Sequence, residues 1–185
     1  MNKLVLNNNK VRYLVNTICR GISNSLWKPD YIVGITRGGL IPAVMLSHYF
    51  DVPCHTLKVN LRDHAAESES NLWMAEDAFG YVPAEDQKTV GSRWDPSYRK
   101  NILIVDDIND SGATLNWIIN DWQASCLPNE DSVWEHRWNS NVRFAVLVDN
   151  LDSKCCVGMD YWGMEINKAE NDVWVEFPWE EWWAK

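Results

Sequence analysis

The chain is poor in basic residues and has no long apolar stretch. It holds 17 Lys and Arg against 26 Asp and Glu, which gives a formal charge of −9. The long-range basic footprint that binds nucleic acid is therefore missing, and an anionic membrane surface would repel the protein. No apolar run approaches the ~18 residues that a membrane span needs, and the start, MNKLVLNNNK, is too short and too polar for a signal-peptide core. We expect a soluble protein with no nucleic-acid partner and no membrane span.

The cysteines are odd in number, five, and show no C-x-x-C spacing. A disulfide framework or a zinc ribbon is therefore not expected, and a reducing compartment, the cytoplasm, fits better. The 185 residues, 46% of them hydrophobic and 23% charged, are typical of a globular chain with one core. We predict a single domain over residues 1–185.

Apolar periodicity predicts strands that alternate with helices. Strands are expected over residues 31–35, 54–59, 102–105, 142–148, 161–164 and 173–177. Helices are expected over 11–26 with Asn9 as cap and over 114–124. Another helix is expected with Pro42 in its first turn and its end at about Phe50. This order predicts an α/β fold, a mainly parallel twisted sheet with helices on both faces.

Residues 60–100 have a different character, since Asp, Glu, Ser, Asn and Gly dominate there. A loop of this length in a compact domain is usually a lid or is disordered. We predict a lid-like loop with one short helix near 72–75. A mobile insertion without a catalytic role is the alternative.

Two segments lie where ligands bind in such sheets, at the carboxyl ends of strands. The first is Gly34-Ile35-Thr36-Arg37-Gly38-Gly39-Leu40. Paired glycines let the backbone approach an anion, and Arg37 adds a bidentate phosphate donor. The segment is neither G-x-G-x-x-G nor a Walker A loop, which weakens dinucleotide and NTPase interpretations. A plain strand-to-helix turn with an exposed Arg remains the alternative.

The second segment contains three acidic residues followed by a run of small residues. Asp106, Asp107 and Asp110 follow a buried strand, and Ser111-Gly112-Ala113-Thr114 open the next helix. Three carboxylates so close together repel one another unless a cation or ligand hydroxyls compensate them. The free N–H groups at the helix start form a nest for one phosphate. The pattern indicates a receptor for a phosphorylated sugar, with a helix cap on an acidic loop as the alternative.

Residues 102–114 resemble the phosphoribosyl-diphosphate (PRPP) signature of the type I phosphoribosyltransferases. Residues 31–53, YIVGITRGGLIPAVMLSHYFDVP, resemble the first strand, diphosphate loop and helix of that family, and 172–179, DVWVEFPW, resemble its purine-salvage branch. The resemblance spans most of 30–179. It implies the fold of that family with a small C-terminal hood, and transfer of the phosphoribosyl group from PRPP to a nucleobase, with a 6-oxopurine (hypoxanthine, guanine or xanthine) as the expected base.

The resemblance implies roles for the residues that bind PRPP. Asp106 and Asp107 would hold the ribose hydroxyls, with Asp107 the expected ligand of Mg²⁺, directly or through water. Asp110 would accept the proton of the base as a general base. Arg37 and Gly38 would bind the diphosphate, next to a Thr36–Arg37 peptide that is strained in many relatives. The 5-phosphate would be bound by Ser111, Gly112, Ala113 and Thr114. Arg62 of the lid is the expected further phosphate contact, with Lys58, Arg93 and Arg99 as alternatives.

The base would be covered by the tail, residues 150–185. Trp174 would stack on the base and the backbone of Val175 would read its edge. In the purine-salvage branch a Lys that recognises the 6-oxygen follows the strand like 142–148, but here Asp149 or Asn150 stands there. Either Lys154 folds back to the base, or Asn150 substitutes as donor, or the base differs.

Other functions remain open at this stage. The alternatives are a non-catalytic PRPP-sensing regulator, a phosphoribosyltransferase for a pyrimidine or another acceptor, and an unrelated Mg²⁺-binding receiver module. The closing aromatic cluster, residues 179–183, predicts packing or an oligomer contact, because exposed aromatic clusters attract partners. We expect a homo-oligomer.

Overall fold

A computed structural model describes residues 2–59, 61, 71–126 and 131–184 of the chain. The strands are β1 Asn2–Val5, β2 Tyr31–Thr36, β3 Cys54–Lys58, β4 Ile102–Asn109, β5 Val142–Asn150, β6 Tyr161–Ile166 and β7 Val173–Glu176. The helices are α1 Asn8–Asn24, α2 Leu40–Phe50, α3 Leu72–Phe79, α4 Gln87–Val90, α5 Ala113–Ser125 and α6 Asp131–Trp134, and short 3-10 turns lie at Pro96–Tyr98 and Trp182–Ala184. Within those ranges no helix has the length and apolarity to cross a bilayer.

Five strands form one parallel sheet in the order β3-β2-β4-β5-β6. The first four residues of β4 are buried on both faces, because α1 and α2 cover one side and α3 and α5 the other. Burial on both faces explains why this strand has no polar alternation. The predicted fold class, a single α/β domain with a mainly parallel sheet flanked by helices, is confirmed.

The first helix begins at Asn8, three residues before the start at residue 11 that its apolar pattern predicts. Asn7, not Asn9, is the cap, and its side-chain oxygen accepts the N–H of Lys10 at 2.8 Å. Any Asn of the run has the chemistry of a cap, so the pattern cannot choose among them. The apolar stripe of α1 is buried as predicted, but the helix ends at Asn24 instead of Leu26.

Residues 71–100 are folded onto the sheet, which differs from the lid-like loop expected there. Helix α3 is twice as long as the predicted 72–75 helix and buries Met74, Ala75, Ala78 and Phe79 in the core. The side-chain amide of Asn141 fixes the segment by donating to two of its carbonyls. Six of the eight residues of α3 are apolar, but Glu76 and Asp77 interrupt them after Ala75, and the polar residues around the helix hid its full length. Asn60 and residues 62–70, with Arg62, lie outside the described residues, so the prediction for them stays untested.

A second, two-stranded sheet joins the two ends of the chain. Strand β1 pairs in parallel with β7, with Lys3 opposite Trp174 and Leu4 opposite Val175. An ion pair of 3.0 Å between Lys3 and Glu176 ties the edges together. We call this β1–β7 sheet the hood. The predicted C-terminal hood therefore includes a strand from the N-terminus that the sequence reading missed.

Candidate active site

The acidic run lies at the carboxyl end of β4, in the middle of the sheet. The strand continues to Asn109, where it pairs with Asp149 of β5, instead of turning after Val105 as predicted. Asp106 and Asp107 therefore have extended backbone, and the N–H of Asp107 donates to the carboxylate of Asp106 at 2.9 Å. Pairing with β5 holds both acids on a rigid element.

Burial raises the pKa of Asp106 well above its ordinary value, and the nearby charge of Asp107 adds to the effect. Burial also raises the pKa of Asp107, with repulsion from Glu180 as a further cause. No Lys or Arg of the described ranges pairs with either carboxylate, and no three His, Cys, Asp or Glu side chains there converge to hold a metal. Among the described residues the pair thus has no basic partner, a state that a cation or ligand hydroxyls relieve.

The turn between β2 and α2 packs directly against this pair. A Cβ on Gly38 would overlap the carboxylate of Asp107, and one on Gly39 would overlap the carbonyl oxygen of Val105. Close approach of backbone therefore requires glycine at Gly39, whereas a side chain at Gly38 would displace the carboxylate of Asp107. The peptide between Thr36 and Arg37 is cis, and Arg37 is exposed. The turn between β2 and α2 and the acidic pair thus form one surface.

The small residues after Asp110 form the predicted turn into α5. Gly112 has a φ of +84°, which favours glycine, and α5 begins at Ala113. The residues from Asp106 to Leu115 line a pocket of about 210 Å³. The chain at Lys154 and Cys155 lies against the back of the turn, and the N–H of Lys154 donates to the carbonyl of Ser111 at 3.1 Å. The turn is therefore held from behind, and its residues line the pocket on the other side.

Asp110 and Trp174 are brought together through a residue that the sequence reading missed. The Lys168 ammonium lies 2.8 Å from a carboxylate oxygen of Asp110 and 6.0 Å from the centre of the Trp174 ring. The Trp174 side chain is 45% exposed, whereas Val175 is buried. Asp110 thus lies between Lys168, which approaches the hood at Trp174, and the turn at residues 111–114 that opens α5.

The two candidates for the missing lysine, Lys154 and Asn150, make their side-chain contacts with groups other than the carboxylate of Asp110. Lys154 pairs with Asp152 at 2.8 Å, and its side chain is 79% exposed. The Asn150 amide donates to the carbonyl of Asp110 and its oxygen accepts the N–H of Lys168. The sequence offered one indication that Lys168 belongs to the site: it is closer to Trp174 along the chain than Lys154 is.

Residues 2–182 match the family model described as "Phosphoribosyl transferase domain". The chain belongs to the phosphoribosyltransferase family. It is a transferase enzyme, and the expected family, fold and enzyme class are confirmed.

Relatives of this phosphoribosyltransferase include proteins named for purines. The xanthine-guanine phosphoribosyltransferase of Cereibacter sphaeroides is 26% identical over 162 residues, 87% of this chain and 74% of that protein. Xanthine phosphoribosyltransferase 1 of Saccharomyces cerevisiae is 19% identical, over 90% of this chain and 86% of that protein. The crystal structure of the purine phosphoribosyltransferase of Pyrococcus horikoshii shares 25% identity with a TM-score of 0.62, covering 98% of this chain and 95% of that one.

Proposed function

We propose that this phosphoribosyltransferase transfers the 5-phosphoribosyl group of PRPP to a 6-oxopurine, releasing diphosphate and forming a nucleoside monophosphate. The observation that carries the proposal is that the acidic end of β4 and the small-residue turn at 111–114 line the same pocket. The purine half rests on the half-exposed Trp174 beside Asp110 and on the names of the relatives.

The PRPP half follows from the chemistry of each wall. The N–H groups of residues 111–114 cradle the 5-phosphate at the start of α5. Arg37 and the backbone of Gly38 contact the diphosphate, because a guanidinium and a free amide are its natural donors. The carboxylates of Asp106 and Asp107 accept the hydroxyl protons of the ribose. Arg62 keeps its proposed phosphate contact from the segment outside the described residues.

Mg²⁺ fits this site, because two adjacent carboxylates with raised pKa values and no basic partner among the described residues suit a hard cation. Asp107 is the proposed ligand, directly or through water. When bound, Mg²⁺ neutralises charge on the leaving diphosphate.

The transfer breaks the bond between C1 of the ribose and the diphosphate oxygen and forms a bond from C1 to a ring nitrogen of the base. Positive charge develops on the sugar, as in glycoside cleavage, and the carboxylates near the ring stabilise it. Asp110 accepts the proton that the base releases. Trp174 stacks on the base, the backbone of Val175 faces its edge, and the hood excludes water from the reacting carbon.

Steady-state assays with PRPP, Mg²⁺ and individual bases test this function. Release of diphosphate and formation of the matching nucleotide with hypoxanthine, guanine or xanthine is the expected result. Binding of PRPP without turnover of any base would replace the proposal with a sensor, and turnover of orotate or uracil alone would replace the base class.

We also propose that the enzyme works in the cytoplasm as a homo-oligomer. The odd number of cysteines, five, and the lack of C-x-x-C spacing favour a reducing compartment. Trp182 and Trp183 are the exposed aromatic residues of the closing cluster, and large exposed aromatics favour a protein contact. Light scattering on the wild type and on a Trp182→Ser, Trp183→Ser variant tests the assembly, and a monomeric wild type would contradict it.

A further inference from the structure

We propose that Lys168 determines base specificity: its ammonium donates to the 6-oxo group of the purine and at the same time holds the Asp110 carboxylate toward the base. This inference rests on the proposed function and deepens it. Lys168 lies in the turn between β6 and β7, later in the chain than the end of β5, where the resemblance places a lysine.

The ammonium of Lys168 is directed into the site. It lies 2.8 Å from Asp110, and the side chain is 18% exposed, against 79% for Lys154. A lysine side chain loses rotamer freedom and hydration when it is placed in this way. Such a placement is more than a solvated surface pair, and it puts three N–H donors at the edge of the proposed base pocket.

Asn150 fixes both partners at once. Its side-chain oxygen accepts the backbone N–H of Lys168 at 3.0 Å, and its amide donates to the backbone carbonyl of Asp110 at 2.9 Å. Asn150 is 5% exposed and ends β5. Asn150 therefore occupies the position where the resemblance implies a lysine. Its side-chain amide holds the turn that brings Lys168 to the site.

The geometry selects an oxygen on the base. In a purine, N7 and the substituent on C6 lie side by side on one edge. When Asp110 accepts a proton from N7, the substituent on C6 therefore faces the ammonium that pairs with Asp110. An ammonium has only donors, so it matches the carbonyl oxygen of a 6-oxopurine and opposes the amino group of adenine. The Trp174 ring, 6.0 Å from the ammonium, bounds the same space.

Nucleotide binding tests the inference without requiring turnover. Inosine monophosphate (6-oxo) and adenosine monophosphate (6-amino) are titrated calorimetrically into the wild type, Lys168→Met, Lys168→Arg and Lys154→Met. The wild type should prefer inosine monophosphate by about 10- to 150-fold, the range of a hydrogen bond to a charged group. Lys168→Met should abolish the preference, Lys168→Arg should keep part of it, and Lys154→Met, which loses the same charge, should keep all of it.

Kinetics separate specificity from structural damage. In Lys168→Met we expect kcat/KM for hypoxanthine to fall about 10- to 150-fold, with the KM for PRPP unchanged. A preference retained in Lys168→Met, or absent from the wild type, overturns the inference. If Lys168→Met does not fold, a Lys168→Arg variant with the selectivity of Lys154→Met overturns it. Absence of 6-oxopurine turnover in the wild type counts against the proposed function, whereas the nucleotide preference reports on Lys168 alone.

Discussion

Asp110 has surroundings unlike those of Asp106 and Asp107, although the three lie within one short segment. Burial raises the pKa values of both earlier carboxyls, and the charge of Asp107 adds to the effect on Asp106 while the charge of Glu180 adds to the effect on Asp107. The Asp110 side chain is 47% exposed and pairs with Lys168. An anion with a partner and access to the base suits proton transfer, whereas the shielded pair suits hydroxyl groups and a cation.

Asp110→Asn should lower kcat by about 10²- to 10⁴-fold, the usual contribution of general acid–base help, because an amide cannot take up the proton. PRPP affinity should stay within a few fold, since the phosphate turn is unchanged. Single-turnover assays and PRPP titration measure the two effects. Asp152→Asn, which removes the exposed partner of Lys154, is the control, and wild-type turnover in Asp110→Asn would remove Asp110 from the mechanism.

Trp174→Ala should weaken base binding by about 1–3 kcal/mol, the range for stacking of a base on an aromatic side chain. The matched control is Trp162→Ala, because Trp162 is 41% exposed against 45% for Trp174 but lies near the opposite end of its strand from the site. Base KM values at saturating PRPP are the measurement. Equal base KM values in the two variants would assign Trp174 to packing.

Site residues that follow one another in the sequence could be predicted, whereas a site residue from a distant part of the chain could not. The run from Asp106 to Thr114 carries its acids, its glycine and its helix start in one motif, so its placement follows from the sequence. Lys168 lies against Asp110 where the side chain of Asn150 hydrogen-bonds the backbone of both residues. That arrangement depends on tertiary hydrogen bonds between elements, which no local pattern encodes.

At the scale of elements, the phosphate turn depends on a glycine with two separate constraints. Gly112 has a positive φ, and a Cβ there would also overlap the backbone at Cys155. Gly91 has a positive φ of 73° with nothing within 4 Å of an added Cβ. The two positions therefore separate backbone strain from packing.

Both Gly112→Ala and Gly91→Ala should lose about 1–3 kcal/mol of unfolding free energy from left-handed strain. Only Gly112→Ala should also weaken PRPP binding, by tenfold or more as an order of magnitude, because the turn must move away from the chain at Cys155. Urea unfolding and PRPP calorimetry on both variants check this. Equal PRPP affinity in the two would show that the turn does not bind the phosphate.

Strands with uninterrupted apolar runs were predictable as elements, and elements that depend on a distant partner were not. The core of β4 is recognisable because burial on both faces removes polar residues. Strand β1 has only two apolar residues, Leu4 and Val5, and it is stabilised by pairing with β7. Helix α3 is stabilised by the core beneath it and by the Asn141 amide, not by its own periodicity.

At the scale of the whole molecule, the fold buries carboxyl groups at a cost that varies with pH. Burial raises the pKa values of Asp77, Asp106, Asp107, Asp121 and Asp160. A carboxyl with a higher pKa in the folded state binds its proton more readily there than in the unfolded chain. The penalty is therefore full above the raised pKa and is relieved as the pH falls toward the ordinary value.

The ligand-free enzyme in chelator should accordingly gain thermal stability as the pH falls from about 8 to about 5. Asp106→Asn should flatten this slope, because the group with the strongly raised pKa is gone. Asp95→Asn should leave the slope unchanged, since hydrogen bonds from Ser97 lower the pKa of Asp95 from its ordinary value of 3.8 and it titrates below the range. Calorimetric Tm values decide, and a Tm that falls with pH in the wild type would contradict the assignment of these groups.

The most direct test of the central claim is one competition reaction. Limiting PRPP and Mg²⁺ are mixed with equal concentrations of hypoxanthine, guanine, xanthine, adenine, uracil and orotate, and the nucleotides formed are identified by mass spectrometry. The product ratio gives the ratio of kcat/KM values directly. We predict that nucleotides of 6-oxopurines dominate in the wild type. A product pool dominated by the nucleotide of adenine, uracil or orotate would contradict the account.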